Sequence, residues 1–238
     1  MMRKPQVLET LAGIAADQRG FVTSAQAQVA GVNRMTLCRL AEAGEIARAG
    51  RGAFRMTPDA AEGTQANRLD RLYLAWLMLD AKRTAPARLL APAEDFVATG
   101  MAGAELYGYR PSAEDLAGPF VFASLRRRQT HVETAHTIQH RFDARDVVVR
   151  RGMPTFDLER LVDEIVHRND VEVARDFLLY ATDVDGGLGM PIDTSYLAHL
   201  LRSYARGCGY PMPIGLVSKM VGRRRIETVR KNRLEPAA

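Results

Sequence analysis

The succession of caps, glycines and apolar residues between Gly20 and Met56 constrains this chain more than any other feature. Before it, Leu8, Leu11, Ala12 and Ala15 recur at helical spacing after Pro5, which predicts a first helix over about residues 5–18. Phe21 and Val22 lead into Thr23 and Ser24, either of which can accept a hydrogen bond from an unpaired amide at the start of the next helix, AQAQVA. Gly31 stops that helix. Asn33 is a second cap, and the helix it opens, RMTLCRLAEAG, buries Leu37, Leu40 and Ala41 on one face and ends at Gly44. Two short helices joined by Gly-Val make a helix-turn-helix. The next segment, EIARAGRGAFRM, alternates Ile46 with Arg48 before Gly50-Arg51-Gly52 and Phe54 with Arg55 after it, which predicts a small β-hairpin, the wing.

Residues 57–65, TPDAAEGTQ, are small, polar and turn-rich and read as a linker before the apolar helix RLDRLYLAWLMLDAK. The boundary is placed there, giving a winged helix-turn-helix over 1–57 and a larger mixed domain over 58–238. The second part reads as a helix near Asp95 to Tyr107 and strands near 120–125, 137–141 and 147–150. Asp157 then caps LERLVDEIVHR, and further helices follow over about 170–181, 193–206 and 213–230. The expected class is α+β, mostly helical, with a small sheet in the larger domain.

Charge is distributed unevenly. The net charge is +5, with eight Lys/Arg against four Asp/Glu in residues 1–57, fifteen against seventeen in 58–170, and ten against seven in 171–238. Cys38 and Cys208 lack a C-x-x-C partner and fit a reduced cytoplasm. No stretch approaches the roughly 18 uncharged apolar residues that a membrane span requires. A soluble, cytoplasmic protein is expected.

A helix fits the major groove of B-DNA, and in a helix-turn-helix the start of the second helix meets base edges. The solvent side of the helix after Asn33 offers Arg34, Thr36 and Arg39, with Met35 able to touch a thymine methyl. Arg34 suits a bidentate guanine contact, Thr36 can read either base, and Arg39 suits a phosphate. The wing adds Arg48, Arg51 and Arg55 around a glycine-rich tip that lets guanidinium groups approach a phosphate or a narrow minor groove. Thr23, Ser24 and Asn33 complete the expected DNA-binding set.

Residues 20–56, GFVTSAQAQVAGVNRMTLCRLAEAGEIARAGRGAFRM, resemble the N-terminal winged domain of the AbiEi family of antitoxins in the order Val-Thr, Gln-Ala, Ala-Gly-Val, Leu-x-x-Leu and Gly-x-Phe-Arg. A weaker likeness continues through LRRRQT (125–130), IQHRF (138–142) and VVVRRGMPTFDLERLVDEI (147–165), so that it covers roughly residues 5–170. The resemblance implies an autorepressor that binds inverted repeats in its own promoter and neutralises an AbiEii-like nucleotidyltransferase toxin. It implies the helix from Asn33 as recognition element and Arg48 to Arg55 as wing, and it assigns no neutralising residue.

Other features are weaker. Arg126-Arg127-Arg128, and Arg223-Arg224-Arg225 near the C-terminus, are secondary basic clusters that fit DNA, an acidic partner or a solvated surface. His136 and His140 have no clear third ligand, and Asp183-Val-Asp185-Gly-Gly lacks the donors of a calcium loop. No catalytic residue, metal or cofactor is expected. The expected partners are double-stranded DNA and the toxin, with a monomer in solution or a dimer on DNA. The alternative readings are a winged-helix regulator without an antitoxin role and, of another class, a DNA-processing enzyme, which would need a clustered Asp and Glu-x-Lys set that is not visible.

Overall fold

The structure is a computed structural model that describes residues 3–56, 64–110, 118–128, 131–168, 171–183 and 187–189. The described chain divides into two compact units, one within 1–106 and 111–156, the other within 107–110 and from 157 onward. It is α+β, with a three-stranded and a five-stranded sheet among the described residues.

The first unit opens with α1 (Lys4–Ala16), β1 (Phe21–Thr23), α2 (Ser24–Val29), α3 (Arg34–Glu42), β2 (Ala47–Gly50) and β3 (Ala53–Arg55). Thr23 caps α2 by accepting from the Gln26 amide at 3.1 Å, and the Gln26 side chain returns a bond to the Thr23 amide at 3.0 Å. Asn33 caps α3. Between the caps Gly31 stands at φ 82°, a left-handed backbone that costs a Cβ-bearing residue energy, and it lets Val32 turn back into the core. Leu11, Val22, Ala27, Val32, Leu37, Leu40, Ile46 and Phe54 close one core, as the helical and alternating spacings require. Both β1 and β2 pair antiparallel with β3, giving the order β1-β3-β2.

Strand β1 faces two ways. Its Val22 belongs to the first core, whereas Phe21 joins a second one with Tyr73 and Trp76 of α4 (Thr64–Leu79), as side chains alternating across a strand must. The winged segment and the five-stranded sheet therefore share one unit. Residues 57–63, where the sequence places the domain boundary, lie outside the described residues.

After α4 come α5 (Ala85–Leu89), β4 (Val97–Ala98), α6 (Gly100–Leu106), β5 (Phe120–Ser124), β6 (Ala135–Gln139), β7 (Val147–Arg150) and β8 (Met153–Phe156). The sheet order is β6-β5-β4-β8-β7. A continuous helix expected near Asp95 to Tyr107 is corrected here: Val97 and Ala98 form the central strand, and the helix starts only at Gly100, whose φ of 56° breaks the chain direction. Strand β8 was not expected. It is joined to β7 through Arg151 and Gly152 at φ 50° and 78°, the two positive values of a tight hairpin turn.

In the second unit Asp157 caps α7 (Leu158–Arg168) through the Arg160 amide at 2.8 Å, as its position predicts. Helix α8 (Val171–Thr182) follows, with the Tyr109 ring edge-on to Phe177 at 5.3 Å and Tyr180 donating to the Tyr107 carbonyl at 3.1 Å. The helices expected over 193–206 and 213–230 lie outside the described residues.

Candidate nucleic-acid interface

Three elements of the first unit build the surface: the start of α3, the β2–β3 turn, and the segment at His131 and Val132. Asn33 Oδ1 accepts from the Thr36 amide at 2.8 Å and from the Thr36 hydroxyl at 3.0 Å. This bond fixes the first turn of α3, so Arg34 and Met35 leave the helix on its outer side. Met35 is 62% exposed, and Arg34 and Arg39 are exposed with no ion-pair partner among the described residues. Leu37 and Leu40, on the opposite face, are buried. The solvent face of α3 thus carries one apolar side chain and two guanidinium groups without ion-pair partners among the described residues.

The wing is short and backed by α4. A Cβ at Gly50 would stand 3.7 Å from Leu74, and one at Gly52 would stand 3.9 Å from Met78, so the turn rests on that helix. Arg48 and Arg51 are exposed, and the Arg48 guanidinium lies over the Phe54 ring at 5.7 Å. Arg55 goes elsewhere. Its guanidinium is 2.8 Å from Asp70 and stacks over Phe21 at 5.0 Å, half-buried against α4. Behind it Tyr73 is buried, and burial pushes its phenol up to about 12 against the lesser pull of Arg19 and Arg88.

Thr23 and Ser24 part company. Thr23 is fully buried, accepts from Gln26 and donates to the Ala81 carbonyl, so its hydroxyl is engaged inside the fold. Ser24 lines a groove of about 550 Å³ together with Arg34, Arg51, Gly52, His131 and Val132, and its hydroxyl oxygen is buried without a hydrogen-bond partner. A second groove of about 310 Å³ shares Arg51, His131 and Val132 with it and continues over Arg71 and Leu74. Nothing in the local sequence marks His131, because it comes to the wing from more than 70 residues away.

Of the secondary basic residues, Arg126 and Arg127 are exposed. Arg128 is committed to the Glu94 carbonyl at 3.1 Å and to the Phe96 ring at 4.8 Å. Arg223, Arg224 and Arg225 lie outside the described residues. His136 is exposed on β6, whereas the His140 ring stands 6.4 Å from Phe156. Among the described residues no three His, Cys, Asp or Glu side chains cluster as metal ligands.

Helix, strand, two helices and a hairpin, with the strand pairing to the hairpin, define residues 3–56 as a winged helix-turn-helix. Residues 9–57, about a fifth of the chain, match the family model described as transcriptional regulator, AbiEi antitoxin. The resemblance read from the sequence is borne out over those residues. No curated protein matches the chain. No helix among the described residues is long and apolar enough to cross a membrane.

Proposed function

We propose that the protein is a DNA-binding transcriptional regulator that represses its own promoter at inverted repeats and neutralises a nucleotidyltransferase toxin. One observation supports the DNA-binding part above all others. Arg34, Met35 and Arg39 on α3, with Arg48 and Arg51 on the wing, stand in solvent, and none of these arginines is held by an ion pair among the described residues.

In this reading the start of α3 enters the major groove, Thr36 addresses base edges, Arg34 stands where base edges and backbone meet, and Arg39, Arg48 and Arg51 meet phosphates. Two copies on an inverted repeat would occlude the promoter. Phosphate neutralisation releases counterions, so affinity falls steeply with salt. Residues 58–238 carry the antitoxin role, in the cytoplasm, without catalysis of their own.

The test is binding of the full chain to a labelled duplex from its own upstream region, at several salt concentrations. Binding at low salt that weakens on adding salt, and that falls when Arg34→Ala and Arg39→Ala are combined, is expected. No complex at low salt, or an unchanged affinity in the double variant, overturns it.

The family match ends at residue 57, and this favours one other reading, a winged-helix regulator without a toxin partner. An adjacent nucleotidyltransferase gene, and rescue of cells expressing it, separates the two.

A further inference from the structure

We propose that the groove between the wing, the start of α3 and His131 is a phosphate site, filled by a backbone phosphate of the bound duplex, so that the DNA contact extends beyond the winged segment. The inference rests on the DNA-binding reading and adds to it a specific pocket and a residue outside residues 1–57.

Four groups converge on the groove. Arg34 arrives from the first turn of α3, Arg51 from the β2–β3 turn, Ser24 from α2 and His131 from the segment before β6. The three nitrogen-bearing side chains are exposed and have no ion-pair or hydrogen-bond partner among the described residues, and no carboxylate lines this groove. Two guanidinium groups around one cavity make it electropositive and favour an anion between them. Arginine forks and an imidazole N–H suit the tetrahedral oxygens of a phosphate.

Ser24 is the independent sign. Its hydroxyl oxygen is buried in the groove wall with no hydrogen-bond partner, although a buried polar group left unpaired costs free energy. As placed the oxygen is closed off from the groove, and rotation of the short Ser24 side chain would bring it to a phosphate oxygen. Gly52 lines the same groove, and a Cβ there would stand 3.8 Å from that hydroxyl, in ordinary contact with it.

Free phosphate esters carry the same chemistry as the duplex backbone, and position decides between them. Arg34 and Arg51 belong to the two elements that a winged helix turns towards DNA, so the backbone is at hand when the groove is filled.

The test uses full-length wild type, Ser24→Ala, His131→Glu and His131→Lys with the upstream duplex and with an unrelated duplex. Ser24→Ala removes an orphaned hydroxyl, so it should leave thermal stability unchanged or raised while lowering affinity for both duplexes roughly tenfold. His131→Lys should tighten binding and steepen the slope of log affinity on log salt by about one, and His131→Glu should do the reverse. Inorganic phosphate, followed by the His131 imidazole resonances, should bind weakly and be displaced by duplex. Wild-type binding that all three variants leave unchanged overturns the site and leaves the DNA-binding reading standing. Phosphate that binds tightly and is not displaced assigns the groove to a free phosphate ester and overturns the backbone assignment. Absence of any duplex binding by wild type overturns both.

Discussion

Asp70 holds the Arg55 guanidinium at 2.8 Å, and this single ion pair turns the last arginine of the wing inward onto α4. Arg19 approaches the other oxygen of the same carboxylate at 3.6 Å, and each arginine lies over an aromatic ring, Tyr73 for Arg19 and Phe21 for Arg55. The winged segment is thus anchored to the next helix by charge as well as by the shared core around Phe21.

Asp70→Ala should therefore destabilise the first unit by about 1–2 kcal/mol. Both partners of the pair are less than a quarter exposed, and its removal leaves a half-buried guanidinium without its carboxylate. Arg55→Ala should cost a similar amount of stability yet leave duplex affinity within about twofold, since a paired side chain releases few counterions. Urea denaturation and fluorescence anisotropy on the same samples check both statements, and a large affinity loss for Arg55→Ala with intact stability would return it to the DNA surface.

A second anchor is polar and wholly internal. Gln18 and Gln26 exchange amide bonds at 3.0 Å, Gln18 Oε1 accepts from the Ala85 amide at 2.8 Å, and Gln26 Nε2 donates to the Arg83 carbonyl at 2.9 Å. Both side chains are buried. Gln26→Ala takes the acceptor from the buried Thr23 amide and the donor from the Arg83 carbonyl, while Gln18 keeps its bonds to Phe21 and Ala85, so a loss of roughly 2 kcal/mol is expected. Because the network ties α2 to the residues after α4, amide exchange should accelerate at Ala85 as well as in α2. Protection unchanged at Ala85 would show that the tie does not couple the two.

The helix-turn-helix was legible because its signals are local: Thr23 and Asn33 sit three residues before the amides they cap, and Gly31 breaks the helix where the chain turns. The same locality misled elsewhere. The apolar run Phe96-Val97-Ala98 precedes a true helical stretch, and spacing alone joined the two, although the short run is the central strand. Arg55, expected among the DNA contacts, pairs with a carboxylate fifteen residues on, and Thr23, expected in the same set, is buried with its hydroxyl on the Ala81 carbonyl. His131 carried no signal at all, since its place beside the wing depends on the sheet behind it.

Arg88 and Asp95 form a pair that no spacing reveals. The two are 0% and 1% exposed, joined at 2.7 and 2.9 Å, and the guanidinium also donates to the Trp76 carbonyl at 2.7 Å while lying 3.9 Å from that indole ring. The arginine thereby satisfies the Trp76 carbonyl in the last turn of α4, where helix carbonyls run out of donors four residues on. Asp95→Asn should cost about 3–5 kcal/mol, the usual result of leaving one buried charge alone. A thermal melt decides it, and a change under 1 kcal/mol would mean that water reaches the site.

Glu105 gives the first unit a pH dependence. Burial raises its carboxyl pKa above the usual 4.5, against the opposing pull of the Arg68 hydrogen bonds and charge. A carboxyl whose folded value is raised binds its proton more tightly in the native state. Its favourable contribution is complete below the ordinary value and is lost as pH rises through the raised one. Glu105→Gln, which stays neutral throughout, should therefore gain in Tm relative to wild type as pH climbs from 4.5. A Tm difference that stays flat with pH, or runs the other way, would place the Arg68 pairing above the burial cost.

Asn33 separates folding from recognition. Its side chain caps α3 at the Thr36 amide, and Asn33→Ala should cost about 1 kcal/mol and fray the turn that carries Arg34 and Met35. Asn33→Asp keeps an equally good cap and adds a negative charge that favours a helix N-terminus, so stability should be held or slightly raised. That same charge would stand on the exposed edge of the proposed interface, where a phosphate repels it. The aspartate variant should melt like wild type and bind duplex several-fold more weakly, with the deficit shrinking as salt screens the repulsion. Equal duplex affinity for the two proteins at low salt would remove the start of α3 from the DNA surface. Equal loss of stability and affinity in both variants would make Asn33 a folding residue alone.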